Sequence, residues 1–337
     1  MITKETLAAL AESRRQTGHL IDGATNDIIT AWLKALKETQ DELRRVLAEN
    51  PFDVHDRVAR LEQSQQVIAE RIAEVAEETR ARLTPEAERM VNLAAAQQEA
   101  LIATQLPPGH GISFTRPGTE AVNAMVQRTT EQITVRSYYL SKDATLAVQE
   151  ALRIGVAGGL GPDEIAQRMI DRVDGVFHGG MARATVIART EMMDTYLDAS
   201  LQSRLENADI MAGWEWFAHL DSDRTCISCI AQHGTRHPFD EPGPLDHHQG
   251  RCDALPVTKT WRELGIDIDE PPGTEIETGV DWFHGLDEDK QRSILGPKRF
   301  EAWQDGRFPP EMWSQRRSSE GWRDAYHVGK PLEPDGD

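Results

Sequence analysis

Cysteine, long apolar runs and excess positive charge are what this 337-residue sequence most lacks. Three cysteines in so long a chain exclude a disulfide-built scaffold, and all three fall between Cys226 and Cys252. No stretch approaches the ~20 apolar residues that a membrane-spanning helix needs. The opening residues MITKETLAALAESRRQ also lack the apolar core of a signal peptide. The expectation is a chain made and used in a cytosol, with no membrane partner. A formal net charge of -19 removes the basic stripe by which a protein neutralises many phosphates. The acid excess extends through the first 200 residues and through the remainder, so any contact with DNA would be local. What remains is a polar chain, 39% hydrophobic, long enough for two or three domains of ~100 to 200 residues.

Helical periodicity dominates the first half. From about Asn26 to Glu49, Ile29, Trp32, Leu33, Leu36, Leu43, Val46 and Leu47 recur mostly every three or four residues, which predicts an amphipathic helix ended by Asn50-Pro51. A second helix is expected over about Val54 to Leu83. A third, over about Pro85 to Thr104, has Thr84 as its cap and Pro85 at its first position. Residues 1–104 thus read as a helical arm of antiparallel hairpins, and 105–117 (QLPPGHGISFTRP) as a linker. Residues 118–181 form a helical connector, with helices over 118–140 and 143–157, a Gly-rich break at 158–164, a helix from Pro162, and a second break at Gly175 to Gly180. A long helix then runs from Met181 to about Leu205, followed by a short alternating strand at Gly213 to Ala218. The segment to Val257 is rich in Asp, His, Gly and Pro and has too little aliphatic material for a core of its own, so it needs another fastening. Residues 258–337 follow as an extension.

The cysteines offer that fastening. Cys226 and Cys229 form a C-x-x-C pair, and after a polar loop come His247, His248 and Cys252. Two thiolates from one tight turn and two donors from a second suit a tetrahedral metal, and three cysteines with one histidine are a known zinc set. His247 is the preferred fourth donor, with His248, His233 and His237 as alternatives. A disulfide or free thiols would fit the same residues, and a fully ligated ion would be a staple with no open position for catalysis. Upstream, Arg189 and Glu191 lie two apart in the long helix, so they face different sides and each would hold something outside it, such as the following strand or the loop around Asp221 to Arg224.

These residues, in this order, resemble the phage head morphogenesis proteins, the Mu F-like minor head family. The resemblance rests on Ala188-Arg189-Thr190-Glu191, then Trp214 to Ala218, then Asp221-Ser222-Asp223-Arg224-Thr225-Cys226 with Cys229, closing on His247-His248-Gln249-Gly250-Arg251-Cys252. His248 stands where the family usually has Pro, and Gly250 where it often has a first Cys. The tail is similar to the run that follows this module in many members, through Trp282-Phe283, Gln291, Ile294-Leu295-Gly296, Arg299-Phe300 and Trp303 to Gly306. Together these stretches cover about residues 182–310.

The resemblance implies a minor protein of a tailed-phage head, present in few copies, associated with the portal and aiding assembly, packaging or delivery of DNA. Its partners would be the portal protein and the major capsid or scaffolding protein, and its place the virion head interior or portal vertex after assembly in the host cytoplasm. The rival reading is an HNH-type nuclease using Asp246-His247-His248, in which a histidine activates water beside a divalent cation. The downstream Asn, the final His and a closing C-x-x-C of that class are not evident. Zinc deaminase and Ser-hydrolase signatures are likewise missing. The expected fold is mainly α with a small α+β module at 182–257, structural and without catalysis.

Overall fold

The computed structural model describes residues 2–48, 54–109, 112–158, 160, 162–220, 225–247, 250–319 and 322–333. Four long helices lead: α1 (Lys4–Ala48), α2 (Val54–Ala103), α3 (Thr119–Ala157) and α4 (Pro162–Glu206). The expected break at Asn50-Pro51 lies outside the described residues.

The structure corrects several predicted boundaries. The first helix begins at Lys4 and not near Asn26. Its inward stripe runs Thr6, Leu10, Ser13, Thr17, Ile21, Ala24, Ile28, Trp32, Ala35 and Thr39, all buried at spacings of three and four. Small hydroxyl residues occupy much of the early stripe, so hydrophobicity alone misses it. Pro85 does not open a third helix but lies inside α2. Leu83, Ala87 and Met90 on either side of it are fully buried, and this packing offsets the hydrogen bond that proline removes. The Thr84 hydroxyl meanwhile donates to the Arg80 carbonyl (2.9 Å). Helix α3 runs unbroken through residues 140–143, and α4 through Gly175 to Gly180. Each internal glycine costs about 1 kcal/mol of helix propensity, which burial of Met169 before them and of Ala184 and Ala188 after them outweighs.

The chain divides into two compact units. The first comprises Met1–Thr17, Val91–Val122 and Tyr196–Asp337, the second Gly18–Met90 and Asn123–Thr195. Among its described residues the second unit is built of helices and carries no strand. Its buried residues include Trp32, Leu36, Val75, Leu83, Ile133, Leu152, Met169 and Met192, while Leu33, Val135, Leu146 and Ile154 stay exposed. A side chain at Gly155 would press on Ile165, 2.7 Å away, so glycine is what lets the end of α3 close on α4 there.

The first unit carries the strands. A three-stranded antiparallel sheet has the order β2 (Arg236–His237), β1 (Met211–Phe217), β3 (Asp253–Thr258), with Trp214 opposite Pro256 and Trp216 opposite Ala254. The edge of β3 is capped by one amide: Gln105 Nε2 donates to the Pro256 carbonyl (2.7 Å), and its Oε1 accepts the Thr258 N–H (3.2 Å). That occupies a free strand edge that would otherwise invite pairing. A short helix α5 (Ile227–Gln232) follows β1. Beyond β3 come α6 (Gly279–His284), α7 (Glu288–Leu295), α8 (Pro297–Gln304) and the hairpin β4 (Ser314–Ser319) with β5 (Trp322–Val328). This C-terminal stretch supplies the core the module lacks: Phe283, Leu295, Phe300, Phe308 and Trp313 pack with Ile227 and Ile230 of α5.

Candidate metal centre

The centre is built on the turn from β1 into α5. Cys226 is the N-cap of α5, held extended at φ -72 and ψ 148, and its sulfur accepts the Cys229 N–H (3.4 Å). This capping geometry puts the two sulfurs 3.2 Å apart on one side of the turn. The second half comes from the loop before β3. Asp246, fully buried, accepts the Cys252 N–H at Oδ2 (3.1 Å), and the Gly250 N–H donates to the His247 carbonyl (2.8 Å). The loop is thus folded about the Asp246 carboxylate, which sets His247 on one side and Cys252 on the other. A side chain at Gly250 would overlap that carboxylate, so the turn requires glycine there.

The donor atoms of Cys226, Cys229 and His247 lie within 4.8 Å of one another, and this group can hold a metal ion. Cys252 is outside that trio, but its buried thiol packs in one cluster with Cys229, beside Trp214, Trp216 and Ala254. The two chain segments flanking the polar loop thus meet in one buried cluster.

Electrostatics fit a cation. The hydrogen bond with Cys229, reinforced by His247, draws the Cys226 thiol down to about 4 despite its burial. The same bond, contact with Cys252, and burial push Cys229 well up. Cys252 gains from its bond with Cys229, but burial and the nearby Asp246 carboxylate leave it raised. Packed thiols of this kind share one negative charge because a second would be repelled in a low-dielectric site. A divalent ion removes that limit by accepting two thiolates and a neutral imidazole.

The other histidines are placed elsewhere. His233 is buried, and its Nδ1 accepts the Ala218 N–H (2.9 Å). Burial, with the Arg14 guanidinium nearby, lowers its pKa to about 4. His237 stacks on Trp214 at 4.2 Å between centroids, with Nε2 3.0 Å from the Thr235 hydroxyl and Nδ1 3.3 Å from Glu241. Neither joins the trio. His248 lies outside the described residues, as do Asp221 and Arg224. Arg189 and Glu191 pair with helical residues: Arg189 with Asp22 of α1 (3.4 Å), and Glu191, buried, with Arg136 of α3 (2.6 Å). Each thus holds a residue outside its own helix, within the second unit, while the loop named as a possible partner lies outside the described residues.

Sequence reasoning missed three supports. The Arg14 guanidinium joins the Asp253 carboxylate and the Phe217 carbonyl, tying both strands next to the site to α1. Arg204, fully buried, donates to the Phe239 carbonyl (3.1 Å) and lies over the Trp214 ring. Asp246 organises the closing turn. Only the last had a signal, an acid four residues before a glycine in a turn of ligand-type residues.

Geometry therefore defines a helix–strand module whose loop is clasped by a Cys/His cluster. Residues 147–255, from the last turns of α3 into β3, match the family model described as Phage Mu protein F like protein, so the Mu F-like resemblance holds over this stretch. No curated protein and no solved structure matches the chain.

Proposed function

We propose that this protein is a structural minor component of a tailed-phage head, associated with the portal and acting in head assembly and in packaging or delivery of the genome without catalysis of its own. The observation that carries the reading is the overlap of the matched residues 147–255 with the Arg189–Glu191 stretch of α4, with β1 and with the Cys226, Cys229 and His247 trio. In this reading the trio, with Cys252 against it, holds a structural zinc ion. The thiol-rich donor set supports zinc over magnesium or calcium, which prefer oxygen donors. The ion would neutralise the thiolates and fix the loop against α5, and the chain's own residues would do the rest by presenting a rigid module. Portal protein is the proposed main partner, with major capsid or scaffolding protein around it and packaged DNA touched only locally, given the acidic surface. Among the described residues, no helix is long and apolar enough to cross a membrane.

The test is co-sedimentation of the full chain with assembled portal, alongside incubation with duplex DNA and divalent cations. Binding to portal with intact DNA is the expected result. Failure to associate with portal or capsid protein, or cleavage abolished by His247→Ala, would overturn the reading.

A further inference from the structure

The three sulfurs are arranged unequally. Cys229 is buried, 3.2 Å from the Cys226 sulfur and packed in one cluster with Cys252. Cys226 is the one thiol of the three that is partly exposed, while Cys252 is enclosed by Trp214 and Trp216. An oxidant arriving from solvent therefore meets Cys226 first. Its next sulfur neighbour, 3.2 Å away across a single turn, is Cys229. Both residues sit on the N-terminal turn of α5, so a bond between them needs no movement of the loop that carries His247 and Cys252.

We propose that this cluster is a thiol–disulfide switch, in which a low-molecular-weight disulfide such as oxidised glutathione converts Cys226 and Cys229 to a disulfide and thereby disarms the metal centre. The inference rests on the metal reading above. The Cys226 thiolate attacks one sulfur of the small disulfide, forming a mixed disulfide and expelling one thiolate. The Cys229 thiolate then attacks the Cys226 sulfur, closing the Cys226–Cys229 bond and expelling the second. Two protein thiolates are oxidised, one small disulfide is reduced to two thiolates, and solvent protonates these according to pH. Closing the bond removes two of the cluster's donors and leaves His247 and Cys252, too few to retain the cation. In a reducing host cell the loop is fastened. In an oxidising medium it is released, and the switch would report passage from one to the other.

The experiment uses the full chain purified under reducing conditions, with zinc measured by elemental analysis before and after oxidised glutathione. Free zinc is followed with a chromogenic chelator, and the bonded pair is found by peptide mass mapping. The expected result is release of the one zinc per chain, together with loss of two hydrogens from the peptide bearing Cys226 and Cys229. Cys252→Ser, which keeps both reacting thiols, should form the same disulfide. Zinc present and retained through oxidation overturns this inference alone, as does a Cys229–Cys252 bond or a Cys252→Ser variant that forms none. Reduced protein that contains no zinc overturns the metal reading itself.

Discussion

Acid should unfasten this protein through one histidine that is no part of the metal trio. His233 follows α5 with its ring against Phe217, accepting the Ala218 N–H. Burial and the neighbouring Arg14 charge lower its pKa from 6.5 to about 4. A depressed pKa means that the unfolded chain takes up a proton the folded chain refuses, so the contribution is fully present above pH 6.5 and is lost as pH falls toward 4. Over the whole window the shift corresponds to about 3 kcal/mol, and from pH 7.5 to 5 to about 2 kcal/mol. Urea unfolding of the wild type and of His233→Gln across this range isolates the term, because every other titrating group is common to both. The variant should begin less stable by about 1–3 kcal/mol through its altered bond to Ala218, yet lose about 2 kcal/mol less on acidification. Equal pH slopes for the two proteins, or a His233 imidazole titrating near 6.5 in the folded state by NMR, would refute the reasoning.

Other perturbations separate the site from its supports. Gly250→Ala should expel the Asp246 carboxylate from the closing turn and weaken zinc binding by about 10–100-fold, as loss of a supporting shell does, read by competition with a chelator. Metal removal should lower the melting temperature of the wild type and leave that of Cys229→Ser unchanged, since a ligand that binds only the folded state stabilises it; scanning calorimetry with and without chelator decides this. Glu191→Ala should remove the buried ion pair with Arg136 and destabilise the helical unit by about 1.5–3 kcal/mol, as loss of a hydrogen bond to a charged group does, while the zinc content stays that of the wild type. Ending the chain after residue 258 should uncover Ile227 and Ile230 and destabilise α5 and with it the Cys226–Cys229 turn, seen as lost zinc and increased protease sensitivity.

How much of the fold was legible depends on what each residue had to compete with. The helical first half followed from spacing, but its punctuation did not. Pro85, Gly175 and Gly179 are local breakers, and their effect was decided by buried neighbours such as Leu83, Ala87 and Ala188, which come together only in the folded unit. The start of α1 was hidden for a different reason. Thr6, Ser13 and Thr17 read as polar, yet they face inward, and Thr17 finds its partner in Gln97, eighty residues away. The poverty of aliphatic residues before Val257 was correctly a sign of outside support. The structure shows such support in the aromatic core formed by α6 to α8 and the hairpin with α5.

At the site, the C-x-x-C pair was legible because one helical cap forces its two sulfurs together whatever surrounds them. The preference for His247 had only spacing behind it, since the choice depends on which ring nitrogen is already engaged. His233 accepts a strand N–H and His237 meets Trp214, Thr235 and Glu241, so among the described histidines it is His247 that faces the thiols. The departure at Gly250 acquires a physical meaning from the same geometry. Where the family pattern often has a cysteine, a side chain here would collide with Asp246, and the space is occupied by a carboxylate that receives the Cys252 N–H. Donor and carboxylate exclude each other at this point. Among the described residues, the group that can hold a metal is then Cys226, Cys229 and His247, with Cys252 in the neighbouring buried cluster. The aspartate that suggested a nuclease core is buried in this turn and accepts the Cys252 N–H.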